Sequence, residues 1–507
     1  MIAFLFLSIV YVQQGYAQKE GASTLQKGNI ERIDGLLIAQ SDAELEKMMK
    51  QQDAVDQKNE GPTDKASEKA SSPENETPAS DEEGAWTDKY KADLFVMLGG
   101  LLLGLLLGVI VQRSQFCMSN AFTFIRIMGT FLKFKAYMVA LLVAILGVYL
   151  LSMIPMSGEG ANVTHLVEPL LGSQPSFLPT ADGFNLYGFI IGGFIFGMGI
   201  VWAGGCASRI LIRTGEGNLG SLISVIAFGL AAGTALQGHI GKLNNAYFQP
   251  WSKTLVLGFT DLVGISNDTS FSIPMLLADL FGAKDRMETI EWSLYITPIL
   301  WGLFAVFLAI WFYKSKDRDD FWGKKWPLTG LGIGLLIVAG WAITGYAHNG
   351  MGVESIPHNS LTFANPNFQF MDYLFKASAQ FDSYHPFAQI NFFWLKEPGK
   401  SSGIGLFLAS LIVTFGVASV IGAILGSFIS AKATKTFSWV IPPDKNAFLG
   451  HIFGGLMMGW GAVLSLGCNI GQGLTGISVL GLGGIITVIF IILGSWTTVW
   501  IRETWEV

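Results

Sequence analysis

GGLMMGWGAVLSLGCNIGQGLTGISVLGLGG, residues Gly454–Gly484, has a near-copy in GGFIFGMGIVWAGGCASR, residues Gly192–Arg209. At a constant offset of 262 positions (468 minus 206), Gly192 falls on Gly454, Gly193 on Gly455, Gly197 on Gly459 and Gly199 on Gly461. The same offset carries Gly205 onto Gly467 and Cys206 onto Cys468, without a gap. Two of the chain's three cysteines therefore occupy equivalent points of an internal duplication.

The surrounding composition is that of a membrane protein. Hydrophobic residues make up 51% of the 507, charged residues only 14%, and 61 glycines supply the small side chains that let apolar helices approach closely. The formal charge of −6 comes from one segment. Residues 41–90 carry 14 acidic and 6 basic side chains, a balance of −8, so the remainder stands at about +2. Nothing in that balance points to nucleic acid. Three widely spaced cysteines without a C-x-x-C give neither a disulfide framework nor a zinc site, and no motif calls for a cofactor.

Working outward from the duplication, the apolar run MIAFLFLSIVYV at residues 1–12 is too short to span a bilayer. The small residues around Gly15-Tyr16-Ala17 suit a signal-peptidase cut, so residues 1–17 read as a secretory signal peptide. Residues 18–92 form an acidic, aromatic-poor leader, expected to be extracytoplasmic and mostly disordered. Spans of bilayer length come next, near 93–111, 136–154, 185–203, 219–236, 293–313, 328–346, 403–429, 447–465 and 478–500. The expected fold is all-α and polytopic, with about nine transmembrane helices plus re-entrant half-helices.

Basic residues orient these spans. Arg113, Arg126, Lys133 and Lys135 follow the first; Lys314, Lys316, Arg318, Lys324 and Lys325 the fifth; Lys432, Lys435 and Lys445 the seventh; Arg502 the ninth. All fall on the cytoplasmic side if the N-terminus is outside and the C-terminus inside. The span before Cys206 then runs inward and its copy before Cys468 runs outward, so the duplication is inverted. Residues 93–292 make the first repeat with its outer loop, 293–327 the crossover helix with a basic loop, and 328–507 the second repeat. A weaker echo, Asn120–Phe124 (NAFTF) against Asn359–Phe363 (NSLTF), agrees. The long loops 237–292 and 347–402 are expected to cap the outer face. Inverted repeats typically bind substrate near the midplane through broken helices.

The residues able to carry chemistry gather where the copies end. Cys206 is followed by Ser208 and Arg209, and Cys468 by Asn469 and Gln472; with Gly205 and Gly467 these are the candidate residues of the substrate path, in glycine-dense stretches where a helix could break. Thiols, amides, a guanidinium and helix N-termini suit a soft anion with harder oxygens. Buried free cysteines are also common as inert packing, and the Gly197/Gly199 and Gly459/Gly461 pairs read first as helix-packing positions. His451 reads as structural, and Asp182, Glu354 and His358 show no metal or acid–base spacing.

At RSQFC (Arg113–Cys117), GGCASR (Gly204–Arg209), SLTF (Ser360–Phe363) and GCNIGQGL (Gly467–Leu474), the sequence resembles the YeeE/YedE family of sulfur-transport membrane proteins. The resemblance covers roughly Asp93 to the C-terminus. It implies an inner-membrane protein with inverted pseudo-symmetry that takes up a small sulfur-containing anion, thiosulfate first. Cys117, Cys206 and Cys468 would line the path and pass the anion by S–H···S contacts, and a cytoplasmic sulfur-carrier or sulfurtransferase protein would be the partner. A selenium-containing substrate, a membrane sulfurtransferase or thiol redox relay, and a channel or sensor scaffold are the competing readings. The enzyme readings are disfavoured by how far apart the cysteines lie in sequence.

Overall fold

A computed structural model describes residues 79–157, 164–167, 179–180, 183–237, 239–263, 270–282, 286–315, 318–323, 325–353, 355–371 and 414–505. The signal peptide, most of the leader, Asp182, Glu354 and positions 403–413 of the seventh expected span lie outside these residues.

Long apolar runs without water to bond their backbone fold as helices, because only a helix satisfies its own N–H and C=O groups locally. Among the described residues, nine helices are long and apolar enough to cross a membrane, and each overlaps an expected span. They are α1 (Ala79–Ser114), α3 (Leu132–Ser152), α4 (Leu186–Trp202), α6 (Leu219–Gln237), α9 (Arg286–Lys314), α10 (Trp326–Gly345), α11 (Phe415–Ala433), α12 (Lys445–Leu464) and α13 (Leu482–Trp505). Short helices α2 (Met118–Ile127) and α5 (Ala207–Gly215) and a π-helical turn, Gly471–Gly476, fill the breaks between them. The long connection before α9 carries α7 (Gln249–Val263) and α8 (Ile273–Leu280). Helix α1 begins well before position 93, inside the stretch expected to be leader. The one departure from an all-α description among these residues is a short antiparallel ribbon, Pro155–Ser157 against Thr164–His165.

Glycine decides which helices touch. Gly100, Gly104 and Gly108 of α1 lie against backbone atoms of Phe415, Ser419 and Ala423 in α11, and Gly330 and Gly334 of α10 against Ala136 and Ala140 in α3. Rising numbers meet rising numbers, so both pairs are parallel. Likewise Gly193 and Gly197 of α4 meet Thr487 and Ile491 of α13, and Gly455 and Gly459 of α12 meet Ser224 and Phe228 of α6. The helix-packing role read for Gly197, Gly199, Gly459 and Gly461 is what the structure shows.

Between α4 and α12 the order reverses. A Cβ on Gly192 would lie 2.7 Å from the Gly461 carbonyl oxygen, and one on Gly461 would lie 2.6 Å from that of Gly192. Gly199 and Gly454 repeat the relation, each 2.8 Å from the other's oxygen. These two helices are antiparallel and meet backbone to backbone. Helix α9 stands apart. Ile299, Leu303 and Phe307 are exposed along it, and Trp301 Nε1 donates to the Leu142 carbonyl at 3.0 Å.

One expectation about the outer loops needs correcting. Ser360, Leu361 and Phe363, assigned to the external loop 347–402, are fully buried. Thr475 Oγ1 donates to the Leu361 carbonyl at 2.7 Å and Ser360 Oγ to that of Ile337 at 2.6 Å, so this segment runs into the core. Its polar composition hid it: Ser and Thr satisfy re-entrant backbone inside a bundle as readily as water does outside.

Candidate permeation site at three cysteine-capped breaks

The three cysteines share one local design. Two residues before each stands a left-handed residue: Gln115 (φ 52°), Gly204 (φ 70°) and Leu466 (φ 58°). Each ends the preceding helix. After α4 and α12 the closing bonds are equivalent: the Gly205 N–H donates to Ile200 at 3.0 Å and the Gly467 N–H to Ala462 at 2.8 Å. This is the six-to-one bond of a Schellman cap. The left-handed residues are therefore Gly204 and Leu466, one position before Gly205 and Gly467. A left-handed Leu gives no signal in sequence, which is why the eye falls on its glycine neighbour.

Each cysteine then caps the next helical segment. The carbonyls of Cys117, Cys206 and Cys468 accept from the N–H four residues on, at 2.9, 3.0 and 2.8 Å, the bonds that start α2, α5 and the turn before Gly471–Gly476. Their thiols consequently sit among free helix-start N–H groups. The sulfur of Cys117 is approached by the Asn120 N–H, that of Cys206 by the Arg209 N–H, and that of Cys468 by the N–H groups of Gly471, Ile470 and Phe363. The Gly471 contact measures 3.5 Å. Phe363 belongs to the buried SLTF segment, so the second echo read in the sequence closes over Cys468. All three thiols are free and at most 3% exposed.

Distance in sequence misleads about distance in space. Cys117 and Cys206 lie close enough for their thiols to interact, and Ser208 Oγ lies 3.4 Å from Cys206 Sγ. The separation that counted against a thiol relay is thus absent for this pair. Cys117 also lines two spaces. One is an open vestibule of about 410 Å³ with Gln112, Gln115, Arg209, Arg213 and Glu216 on its walls. The other, about 10 Å³, is shared with Ser208, Ile470 and Leu474 and leads toward the Cys468 turn.

On the Cys468 side, Asn469 and Gln472 are each 1% exposed, and both side-chain atoms of the Asn469 amide and Oε1 of Gln472 have no hydrogen-bond partner. Buried amides normally find partners, since leaving one unsatisfied costs about 1–3 kcal/mol. Around them the backbone is fixed by Tyr137 Oη, which donates to Gly473 at 2.6 Å, and by Trp341 Nε1, which donates to Ser478 Oγ at 3.1 Å. On the vestibule side, Arg209 (8% exposed) donates to Gln115 Oε1 at 2.5 Å and pairs with Glu216 Oε1 at 3.4 Å.

Comparison with known proteins decides the family. The model of the family described as "Sulphur transport" matches residues 113–497. This chain belongs to the sulphur transport family. Two curated relatives, the thiosulfate transporters TsuA of Escherichia coli (strain K12) and of Spirochaeta thermophila, are each 26% identical to it. The alignments cover 80% and 79% of this chain and 94% and 98% of the relatives.

In this family member the structure also adds residues that sequence reasoning passed over. Gln112, Gln115, Asn120, Glu216 and Asn218 line the vestibule with Thr436 and Ser438. Gln115 carried a weak signal inside RSQFC. Glu216 sits among loop residues and carried none. His451 is structural as read, its ring against Gly220 and its Nδ1 3.0 Å from Ser224 Oγ.

Proposed function

We propose that this multi-pass membrane protein takes up a small sulfur-containing anion, thiosulfate first, relayed past Cys468, Cys117 and Cys206 without covalent chemistry. The observation that carries the reading is the buried Asn469 amide and the Oε1 of Gln472, all without hydrogen-bond partners, beside a thiol that accepts from the Gly471 N–H at 3.5 Å. An anion supplies the acceptor that the Asn469 NH₂ lacks; the orphaned Oδ1 and Oε1 oxygens need a donor, such as a water that enters with it. The Asn469 NH₂ and the N–H groups donate to the anion's oxygens, while the thiol donates weakly to its softer terminal sulfur. Relatives named as thiosulfate transporters support the substrate and a non-enzymatic role.

Passage would run from the Cys468 turn through the narrow space at Ile470 and Leu474 to Cys117 and Cys206, and out by the vestibule. The inverted repeat is supported by the antiparallel meeting of α4 with α12 and by helix pairs that come in matched twos. Orientation is supported by basic residues collected at the vestibule end: Lys133 lies near Cys117 and Arg209, Arg126 pairs with Glu503 at 3.7 Å, and Arg502 stacks on Trp202. On the positive-inside rule that end is the cytoplasmic one in our reading, which supports an inner-membrane protein with its N-terminus outside. A cytoplasmic sulfur-carrier or sulfurtransferase would collect the cargo there.

The test is thiosulfate uptake into proteoliposomes by the full chain and by Cys206→Ala and Cys468→Ala. Loss of uptake in both is expected. Undiminished uptake in both removes the cysteine relay.

A further inference from the structure

Two locally unfavourable choices meet at Arg209. Glu216 is the C-terminal cap residue of α5, where the helix dipole disfavours negative charge. Gln115 holds a left-handed backbone (φ 52°) that a residue with a Cβ adopts at a cost. Both side chains turn to the same guanidinium and to each other. Arg209 Nη2 donates to Gln115 Oε1 at 2.5 Å, Arg209 Nη1 lies 3.4 Å from Glu216 Oε1, and Gln115 Nε2 donates to that same carboxylate oxygen at 3.3 Å. The triangle is closed, and it stands in the wall of the vestibule that Cys117 also lines.

Charge gives the triangle a task. An anion leaving Cys117 enters a space walled by two guanidiniums, Arg209 and Arg213, with Lys133 near both Cys117 and Arg209. Arg213 is partly engaged, donating to the Gly204 carbonyl at 3.0 Å. Arg209 is buried, so its field is poorly screened and would hold a dianion firmly. Strong holding at an exit slows turnover, because binding that is not relieved must be undone at each cycle. Among the described residues of the lining, Glu216 is the one carboxylate.

We propose that Glu216, with Gln115, sets the release of the anion by competing with it for Arg209. While cargo occupies the vestibule, Arg209 turns part of its donor set from Glu216 to the anion. The carboxylate then reclaims the guanidinium and the anion leaves to water. Glu216 acts through Arg209 and is a positioning residue. The proposal rests on the transport reading above.

Proteoliposome uptake of thiosulfate by the full chain, resolved into KM and maximal rate, tests it with three variants. Glu216→Gln leaves Arg209 unopposed, so KM and maximal rate both fall, each on the order of tenfold. Glu216→Asp restores both toward wild type. Gln115→Glu places a second carboxylate on Arg209 and moves KM the other way, upward. Opposite signs from two members of one triangle are not what a structural staple between α5 and the end of α1 produces. An unchanged or raised KM in Glu216→Gln overturns the proposal, as does an unchanged KM in Gln115→Glu, which decides alone if Glu216→Gln fails to insert. Absence of thiosulfate uptake by the wild-type chain is a separate result: it overturns the transport reading and this proposal with it.

Discussion

The break after α4 and the break after α12 share a backbone and differ in everything attached to it. Both end a glycine-rich helix in a left-handed residue, place one buried cysteine two residues later and start a short helical turn from its carbonyl. After Cys206 come Ser208 and a buried cation held by a carboxylate. After Cys468 come two neutral amides with empty donor and acceptor positions. The same local geometry thus occurs twice, with different side chains around it. The uncharged break suits desolvating an anion by many weak donors. The charged one, opening on a vestibule, suits drawing it through and letting it go.

The most damaging test of this equivalence is at the α4–α12 seam. Gly199→Leu and Gly461→Leu each drive a side chain into backbone of the other helix, at Gly454 and Gly192 respectively. Both should lose the folded protein to the same degree, by several kcal/mol. Fluorescence-detected size exclusion after membrane extraction measures this, and a seam that tolerates one but not the other is not pseudo-symmetric.

Next in size is Asn469→Leu. Filling the site with an apolar side chain of similar volume removes a buried unsatisfied amide and should raise stability by about 1–3 kcal/mol. Uptake should fall on the order of tenfold or more, because the donors are gone. A variant that is both less stable and fully active breaks the assignment of Asn469 to cargo. The left-handed pair gives a smaller and sharper contrast. Gly204→Leu should destabilise by about 1–2 kcal/mol, whereas Leu466→Gly should stabilise by up to about 1 kcal/mol. Thermal unfolding of the purified variants reads both signs.

The smallest effect lies in the segment that follows α10. His358 is held down to about 4 by burial and by its neighbour His348, whose ring centroid is 4.2 Å away. An unfolded histidine titrates near 6.5, so between about 6.5 and 4 the unfolded chain binds the extra proton. The stability contributed is present at neutral pH and is lost as pH falls through that window. His358→Gln should flatten the acid side of a melting-temperature profile between pH 7.5 and 4.5. The same profile should leave the comparison of the two breaks unaltered.

Much of this was visible in the residues. Membrane spans advertise themselves because backbone in lipid must be helical and apolar over a set length, and all nine were found near their expected positions. The Cys206 and Cys468 breaks were visible because glycine spacing repeats without a gap. The hidden features depended on partners far away in the chain. Ser360–Phe363 looks like a polar loop until its bonds to Ile337 and Thr475 are drawn. Leu466 in the left-handed region leaves no trace in composition. Glu216 acquires meaning only when α1 and α5 bring Gln115 and Arg209 beside it, and the nearness of Cys117 to Cys206 is likewise a product of the fold.

The meeting of Gly192 with Gly461 and Gly199 with Gly454 leaves no cushion of side chains between the two central rods. A machine that worked by rocking its halves would have to prise apart main chain locked against main chain and then reseat it at every cycle. This frame is built to stay still while cargo moves, in the manner of a turnstile post rather than a swinging door. Under the relay proposed above, the work of each passage would then fall on the three short capped turns.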